Sequence, residues 1–320
     1  MTSVSVLIPT YNRAAYVGGA IDTVLEQTYS DIEAVVVNDG SDDDTRAVLD
    51  ARAGDRVRVF HNDENRGISY SFNRAAAEAR GEYLCILGDD DRWHPVKVER
   101  QVRRMESLGD EYGVVYTGGF CVRDDVVTDV SRPSWRGDIY PEILGTFGVG
   151  PHSGHMIRRE AFEAVDGFDT AFPRGVDWDM SIRLAKRYKF DYLPELFVRR
   201  TLHDDNISRE PEQMDLYSLV LDKYADELYR HPDALCRLYS QWYYQKRATH
   251  ALHRGETRRA ARYFLSAFRL RPTATLALSC LVSMLGPRGF DAAGTVRRRM
   301  TDWRIRATGE YPWTGVSSGP

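Results

Sequence analysis

The chain is 320 residues long, 42% hydrophobic and 28% charged, with a formal net charge of −4. Those values describe a soluble globular protein whose core needs neither disulfides nor a structural metal. The four cysteines, Cys85, Cys121, Cys236 and Cys280, lie far apart, which argues against a disulfide framework or zinc cluster and fits a reducing cytoplasm.

Met1 leads straight into a strand pattern, so no secretory leader is read. Val4 to Ile8 is a short apolar run closed by Pro9. Helical periodicity follows over 16–28 through Val17, Ile21, Val24 and Leu25, then a second buried strand from Ile32 to Val37. A helix from Asp42, a strand from Val57 to Phe60, an Ala-rich helix over 68–80 and a strand from Tyr83 to Leu87 complete the first third. Strands alternating with helices of this length predict a parallel sheet with helices on both faces. Right-handed crossovers gather the strand ends along one edge, outside which ligands bind. Residues 113–210 read as mixed, with a helix over 177–188 and a strand pair around Tyr192 and Phe197–Thr201. Beyond about residue 211 the pattern is helical to about 306, and residues 240–272 resemble one tetratricopeptide-type hairpin broken at His253–Glu256. Residues 307–320 read as a disordered tail.

Charge is uneven. Residues 1–229 carry −15 and residues 230–306 carry +12, so the C-terminal part presents a basic surface to anions or is a solvated face. Its apolar positions Leu276, Leu278, Leu281, Val282 and Leu285 fit an interfacial helix or a packed one. The longest apolar run, Leu276 to Gly286, is too short to span a bilayer. Asn206-Ile207-Ser208 matches a glycosylation sequon by chance.

Chemistry concentrates at three strand ends: Pro9-Thr10-Tyr11-Asn12, Asn38-Asp39-Gly40-Ser41-Asp42 and Gly88-Asp89-Asp90-Asp91. Singly, Asp39–Asp42 is a turn with a helix cap, and three aspartates are a solvated loop. On one sheet edge they acquire a use. Mg²⁺ or Mn²⁺ prefers carboxylate oxygens plus substrate phosphates, and it neutralises a departing diphosphate. No Walker loop and no G-x-G-x-x-G follows the first strand, which excludes a P-loop NTPase and a standard dinucleotide domain.

These segments resemble family 2 glycosyltransferases of the GT-A fold. The matching elements are Val4–Arg13, Val37–Asp43, Asn65-Arg66-Gly67, Ala79–Tyr83, Leu87–Trp93, Gly167-Phe168-Asp169 and Asp177-Trp178-Asp179, spread over about residues 3–205. The resemblance implies an α/β domain over 1–210 with a mixed, mainly parallel sheet. A helical region over 211–306 lies outside it. Tyr11 would lie against the nucleobase in a pocket shaped by Pro9 and Thr10, and Asp39 would bond the base edge. Arg66 would approach the base or diphosphate, and Asp89 the ribose. Asp90 would hold the metal, with Asp91 and His203 as further candidates. Relatives often carry an acid where this chain has Gly88. Asp177 would be the catalytic base, with Asp179 as fallback, because Val176 stands where relatives have glutamate. Taken by itself, Asp177 is a helix cap. His152 and His155 are candidates to line the acceptor pocket.

The activity so implied is an inverting, Mn²⁺- or Mg²⁺-dependent transfer of sugar from a nucleotide-diphosphate donor, UDP by preference. The acceptor is a hydroxyl of a glycan, polysaccharide or lipid-linked oligosaccharide. The partners expected are that donor, that acceptor, an inner membrane face met by the basic helices, and a second copy in a homo-oligomer. Nucleic acid is not expected. The rival reading is a non-catalytic nucleotide-sugar-binding or helical scaffold protein. A sugar-nucleotide pyrophosphorylase is disfavoured, because Tyr11-Asn12-Arg13 stands where its glycine-rich loop would be.

Overall fold

The computed structural model describes residues 3–172, 174–203 and 215–308. The chain forms two compact units, one drawn from Met1–Ile139, Gly148–Leu202 and Ile305–Pro320, the other from Tyr140–Phe147 and His203–Arg304.

The first unit is built on one sheet. Its strands are β1 (Val4–Thr10), β2 (Ile32–Asn38), β3 (Val57–His61), β4 (Tyr83–Ile86), β5 (Arg92–Trp93), β6 (Tyr112–Arg123), β7 (Val126–Ser131), β8 (Met156–Arg158) and β9 (Lys189–Thr201). Their order is β3-β2-β1-β4-β8-β6-β9-β5, with β7 on β6. The β3-β2-β1-β4 half is parallel throughout, and β6 also pairs parallel with β9. β8 runs antiparallel between β4 and β6. The helices of this unit are α1 (Val17–Leu25), α2 (Thr45–Asp50), α3 (Ile68–Glu78) and α4 (Lys97–Glu106). Beyond α5 (Tyr140–Gly145), which belongs to the second unit, come α6 (Arg159–Ala164) and α7 (Val176–Ala185).

β1 and β2 are apolar and covered on both faces, as central parallel strands are. Val4, Val6, Ile8, Ala34 and Val36 join Val17, Ile21, Val24, Val98, Val102 and Trp93 in one core. Each aliphatic side chain so buried contributes about 1.5–3 kcal/mol. The register from Val4↔Ile32 to Thr10↔Asn38 brings the ends of β1 and β2 level. Every chemically suggestive loop of the N-terminal half therefore leaves the same edge.

The sequence pattern predicts a strand pair near residues 192 and 197–201, and the structure corrects it. β9 is one strand, whose pairing with β6 slips around Pro194 and Glu195. The slip absorbs residues that break the apolar run, and the strand continues past them.

Gly40, at the turn after β2, has φ +72°, and a Cβ there would stand 2.5 Å from the Glu64 carbonyl carbon. Gly40→Ala should therefore lower stability by about 1–3 kcal/mol. Urea denaturation measures this, and an unchanged midpoint would contradict the close approach.

The second unit is helical. After α5 come α8 (Asp215–Lys223), α9 (Ala225–Arg230), α10 (Pro232–Leu238), a π-helical stretch (Tyr239–Gln245), α11 (Lys246–His253), α12 (Thr257–Leu270) and α13 (Ala274–Ser283). The last helix, α14, is Gly286–Ala307. Ala248, Ala251, Leu252, Ala260, Phe264, Ala267 and Leu276, from α11, α12 and α13, are the buried centre of this unit. Alanines at these positions let α11 and α12 approach closely. Ala261 is only partly buried and Leu270 is exposed. The division expected at 210/211 and the sequon at 206–208 lie outside the described residues.

Candidate active site

Two loops at the strand ends are laced together. Asn12 sits in the left-handed region at φ 53°, a conformation asparagine tolerates better than most residues. Its amide donates to Ser41 Oγ (2.9 Å), and its Oδ1 accepts from the Asp42 amide (3.0 Å). The Arg13 amide donates to Thr45 Oγ1, and the Ala14 amide to Asp43 Oδ2. Ser41 in turn donates to Asn38 Oδ1 at 2.5 Å. The motif at the end of β2 thus fixes the loop after β1. Tyr11, on that loop, is 42% exposed, while Pro9 and Thr10 before it are buried.

Asp39 is only 4% exposed. Its Oδ1 accepts from Asn62 Nδ2 (2.5 Å) and the Arg66 amide (3.0 Å), and its Oδ2 accepts from the Gly67 amide (2.8 Å). The carboxylate therefore ties the Asn65-Arg66-Gly67 segment to β2. Arg66 projects outward, with its guanidinium 3.7 Å from the Tyr70 ring centre.

The acidic loop after β4 is pinned from behind. Ser153 Oγ accepts from the Gly88 amide (3.0 Å) and donates to Asp91 Oδ2 (2.5 Å). Trp93 Nε1 donates to the Ser153 carbonyl (2.7 Å). Asp91 faces inward at 6% exposure, whereas Asp89 and Asp90 are half-buried. Burial and then the Asp90 charge push Asp89 up to about 7, against the opposing pull of Thr10 and Arg13. Burial and Asp90 likewise raise Asp91 to about 7, opposed by Arg200 and the Ser153 bond. Behind Trp93, buried Lys97 lies 3.7 Å from its ring centre and donates to Gln101 Oε1. Burial lowers that ammonium to about 8.

α7 begins at Val176 after Gly175, in left-handed conformation at φ 65°. Asp177 and Asp179 both fall in its first turn, where a helix N-terminus favours negative charge. They differ in use. Asp179 is fully buried; its Oδ2 accepts from Arg183 Nε (2.8 Å), and Arg183 Nη2 lies 2.8 Å away as the rest of the ion pair. Arg183 also donates to the Val165 and Gly167 carbonyls, so Asp179 locks the helix to the preceding turn. Asp177 accepts from the neighbouring Trp178 amide (2.9 Å). Burial raises its carboxyl, while the Trp178 amide, His155 and Arg200 pull it down.

The two histidines divide as well. His155 is 1% exposed and bonds the Val149 carbonyl through Nε2 (2.8 Å), so it is core and not pocket wall. His152 meets Phe72 and Phe168 edge-on, and its buried Nε2 has no hydrogen-bond partner among the described residues. Burial drives His155 down to about 3, with His152 adding to the effect. The unfolded ring titrates near 6.5, so below that pH the unfolded chain binds more protons and stability falls as pH falls. The conservative His155→Gln can still donate to Val149 and lacks this loss. The stability gap in favour of the parent chain should shrink by about 2 kcal/mol between about pH 6.5 and 5. Urea titrations at the two pH values measure it, and a constant gap would contradict a neutral buried ring.

Arg200, near the end of β9, is the residue that sequence reasoning missed. Burial works against its charge, but Asp91, Cys121, Asp90 and Asp177 more than offset that. It also depresses buried His152. One guanidinium thus faces the acidic loop, the first turn of α7 and His152. Ser153 and Asn62 were equally unmarked. The basic pair Arg199-Arg200, directly after the buried Leu196-Phe197-Val198 of β9, was the signal. His203 is the first residue of the second unit and is half-buried; residues 204–214 after it lie outside the described residues.

The arrangement is an α/β domain that gathers acidic side chains and Arg200 outside the carboxyl ends of its parallel strands. The family model described as Glycosyl transferase family 2 matches residues 5–166, and the chain belongs to that family. It is 34% identical over 207 residues to a chondroitin synthase of Pasteurella multocida, covering 64% of this chain and 21% of that protein. It is 30% identical over 247 residues to an uncharacterized glycosyltransferase of Rickettsia bellii, covering 70% of this chain and 34% of that one. The chain thus spans about a third or less of the length of these relatives. Among solved structures, S. aureus TarS 1-349 in complex with UDP-GlcNAc aligns at TM-score 0.62 and 15% identity, over 97% of this chain and 93% of that one. The Pyrobaculum calidifontis mannosyltransferase PcManGT, in complex with GDP-Man and Mn2+, aligns at TM-score 0.51 and 19% identity, over 96% and 79%. These likenesses establish the fold, a GT-A-like mixed sheet with flanking helices.

Proposed function

We propose that the chain is an inverting, divalent-metal-dependent glycosyltransferase. It would use a nucleotide-diphosphate sugar, UDP by preference, and a glycan or lipid-linked hydroxyl as acceptor. The observation that carries this reading is the convergence of the Asp89–Asp91 loop, Arg200 and Asp177. Support for the donor class comes from the relatives: TarS is described with UDP-GlcNAc and the mannosyltransferase with GDP-Man and Mn2+.

The loop fits a hard cation. Asp89 and Asp91 are both raised partly by the charge of Asp90, a repulsion that a divalent ion relieves. Mg²⁺-type ions take one or two carboxylates together with substrate phosphates, so Asp90 is the ligand we assign. Among the described residues no three His, Cys, Asp or Glu side chains are grouped to hold an ion unaided; the reading takes the remaining ligands from the donor's diphosphate. When bound, the ion supplies charge neutralisation for the leaving group. Asp91, held by Ser153, shapes the loop.

Tyr11, after Pro9 and Thr10, offers an exposed ring for the base. Asp39 holds the Arg66 segment beside it, and Asp89 is the candidate ribose contact. Asp177 takes the proton of the acceptor hydroxyl as that oxygen bonds the anomeric carbon. The bond to the diphosphate breaks in the same displacement, and the electron pair leaves with the diphosphate toward Arg200. Attack opposite the leaving group inverts the anomeric centre. Incubating the protein with UDP-sugars, Mn²⁺ and glycan acceptors tests this, with the product's anomeric configuration read by NMR. A product of retained configuration would refute the single displacement. Donor binding with no transfer to any acceptor would favour the non-catalytic binding protein.

The second unit adds a peripheral membrane contact to this reading. Leu278, Leu281, Met284 and Leu285 on and after α13, and Val296, Met300 and Trp303 on α14, are each more than half exposed. Leu276, expected on the same stripe, is buried instead. Val296, Met300 and Trp303 fall on one helical stripe beside Arg297, Arg298 and Arg299, the pattern of an interfacial helix. Among the described residues no helix is long and apolar enough to cross a membrane. Sedimentation with phosphatidylglycerol vesicles should fall about tenfold or more for Met300→Asp/Trp303→Asp; equal sedimentation of both would exclude the contact.

A further inference from the structure

The helix pair of the second unit carries a groove that the transferase reading leaves unused. It is a cavity of about 230 Å³ between α11 and α12, lined by Arg247, His250, Arg254, Glu256, Arg259 and Tyr263. Arg247, His250 and Arg254 recur at spacings of three and four, as do Glu256, Arg259 and Tyr263, so each set follows one helical face, with Arg254 and Glu256 at the caps that flank the turn. Ala248, Leu252, Ala260, Phe264 and Ala267 occupy the opposite, buried faces. Packing alone therefore does not require this concentration of cations.

Its electrostatics are unbalanced. Glu256 pairs with Arg254 (3.2 Å) and Arg259 (3.0 Å). Against three guanidiniums it is the one carboxylate in the lining among the described residues, leaving two positive charges in surplus. The arginines are already oriented. Arg247 lies 4.3 Å from the Tyr243 ring centre. Arg259 and Arg247 both stand near the Tyr263 phenol and hold it below its ordinary value.

We propose that this groove binds a phosphate-bearing saccharide. Guanidinium forks match phosphate oxygens in pairs, and two surplus charges match a phosphomonoester dianion. Tyr263 lines the groove beside these arginines and offers an aromatic ring to a sugar. The cavity accommodates one sugar phosphate and is too small for a folded partner. The proposal is independent of the transferase reading.

Calorimetric titration of glucose 1-phosphate into the full chain, with UDP and Mn²⁺ at saturation to cover the donor site, tests it. Glucose 1-phosphate should bind and glucose should not, and raising salt should weaken the binding. Arg247→Gln and Arg259→Gln keep the alkyl stems and should each weaken it about tenfold, while the exposed Arg288→Gln, outside the cavity, should change it less than about twofold. Far-ultraviolet dichroism of the variants separates loss of the site from loss of the fold. Absent binding would overturn the proposal, as would binding that Arg288→Gln weakens equally. Anionic vesicle binding that depends on Arg247 and Arg259 without any for glucose 1-phosphate would assign the groove to lipid headgroups and overturn it too. UDP titrations of the same variants keep the readings apart. Failure of UDP binding with Arg247-dependent sugar-phosphate binding would sink the donor reading and leave this one standing.

Discussion

Asp177→Asn should lower kcat by about 10²- to 10⁴-fold while leaving UDP affinity close to that of the parent chain. The substitution is nearly isosteric and keeps the acceptor for the Trp178 amide, so α7 should persist. What disappears is the ability to take a proton from the acceptor hydroxyl. Burial raises the Asp177 carboxyl, and the base must be ionised to work. The acid limb of kcat should therefore lie above the ordinary carboxylate range, and activity should fall as pH falls through it. That limb should be missing from the residual activity of the variant. Asp179→Asn should behave differently: it breaks the pair with Arg183 and should lower stability by about 3–5 kcal/mol, the cost of stranding one member of a buried pair. Full activity in Asp177→Asn, or loss of UDP binding with it, would contradict the assignment.

Arg200→Met should reduce kcat by about 10²- to 10³-fold, the scale set by removing one preorganised donor from a developing charge. It should also destabilise the fold, because Asp90, Asp91 and Asp177 lose a shared counter-charge. The two effects are separable. Arg200→Met combined with Asp91→Asn removes a charge of each sign and should recover much of the stability without recovering activity. Arg200→Lys keeps the charge and loses the fork, so it should retain more activity than Arg200→Met. If the double variant regained both stability and turnover, Arg200 would be a structural counter-ion only.

The parallel half of the sheet was legible because its strands are short, mainly apolar runs, three of them closed by Pro9, Asp39 and Gly88. Each run is short and bounded, so its period and its ends are both marked in sequence. β9 was misread for the converse reason: Pro194 and Glu195 interrupt its pattern, and only pairing with β6 carries the strand across them. β5, with two residues, is too short to leave any period.

The acidic loop and Asp177 were visible as clusters of one residue type at element ends. Their division of labour was not. Asp39 reads as a turn or base contact, but its oxygens hold the Arg66 and Gly67 amides, which come near only through the β2–β3 pairing. Asp179 reads as a second candidate base, although Arg183, four residues on in the same helix, already stands at the spacing that pairs with it. Arg200 reads as an edge charge in a strand. Its meeting with Asp90, Asp91 and Asp177 depends on β9 lying beside β6, a long-range fact that no local pattern encodes. Ser153 reaches Asp91 in the same way.

The central claim is that the site binds a nucleoside diphosphate through a metal held at Asp90. Calorimetry of UDP, GDP and dTDP, each with and without Mn²⁺, on the parent chain and Asp90→Ala tests it most directly. The expected result is binding of one nucleotide, UDP by preference, that requires Mn²⁺ and is lost in Asp90→Ala. A folded parent chain that binds none of the three with Mn²⁺ present would contradict the claim.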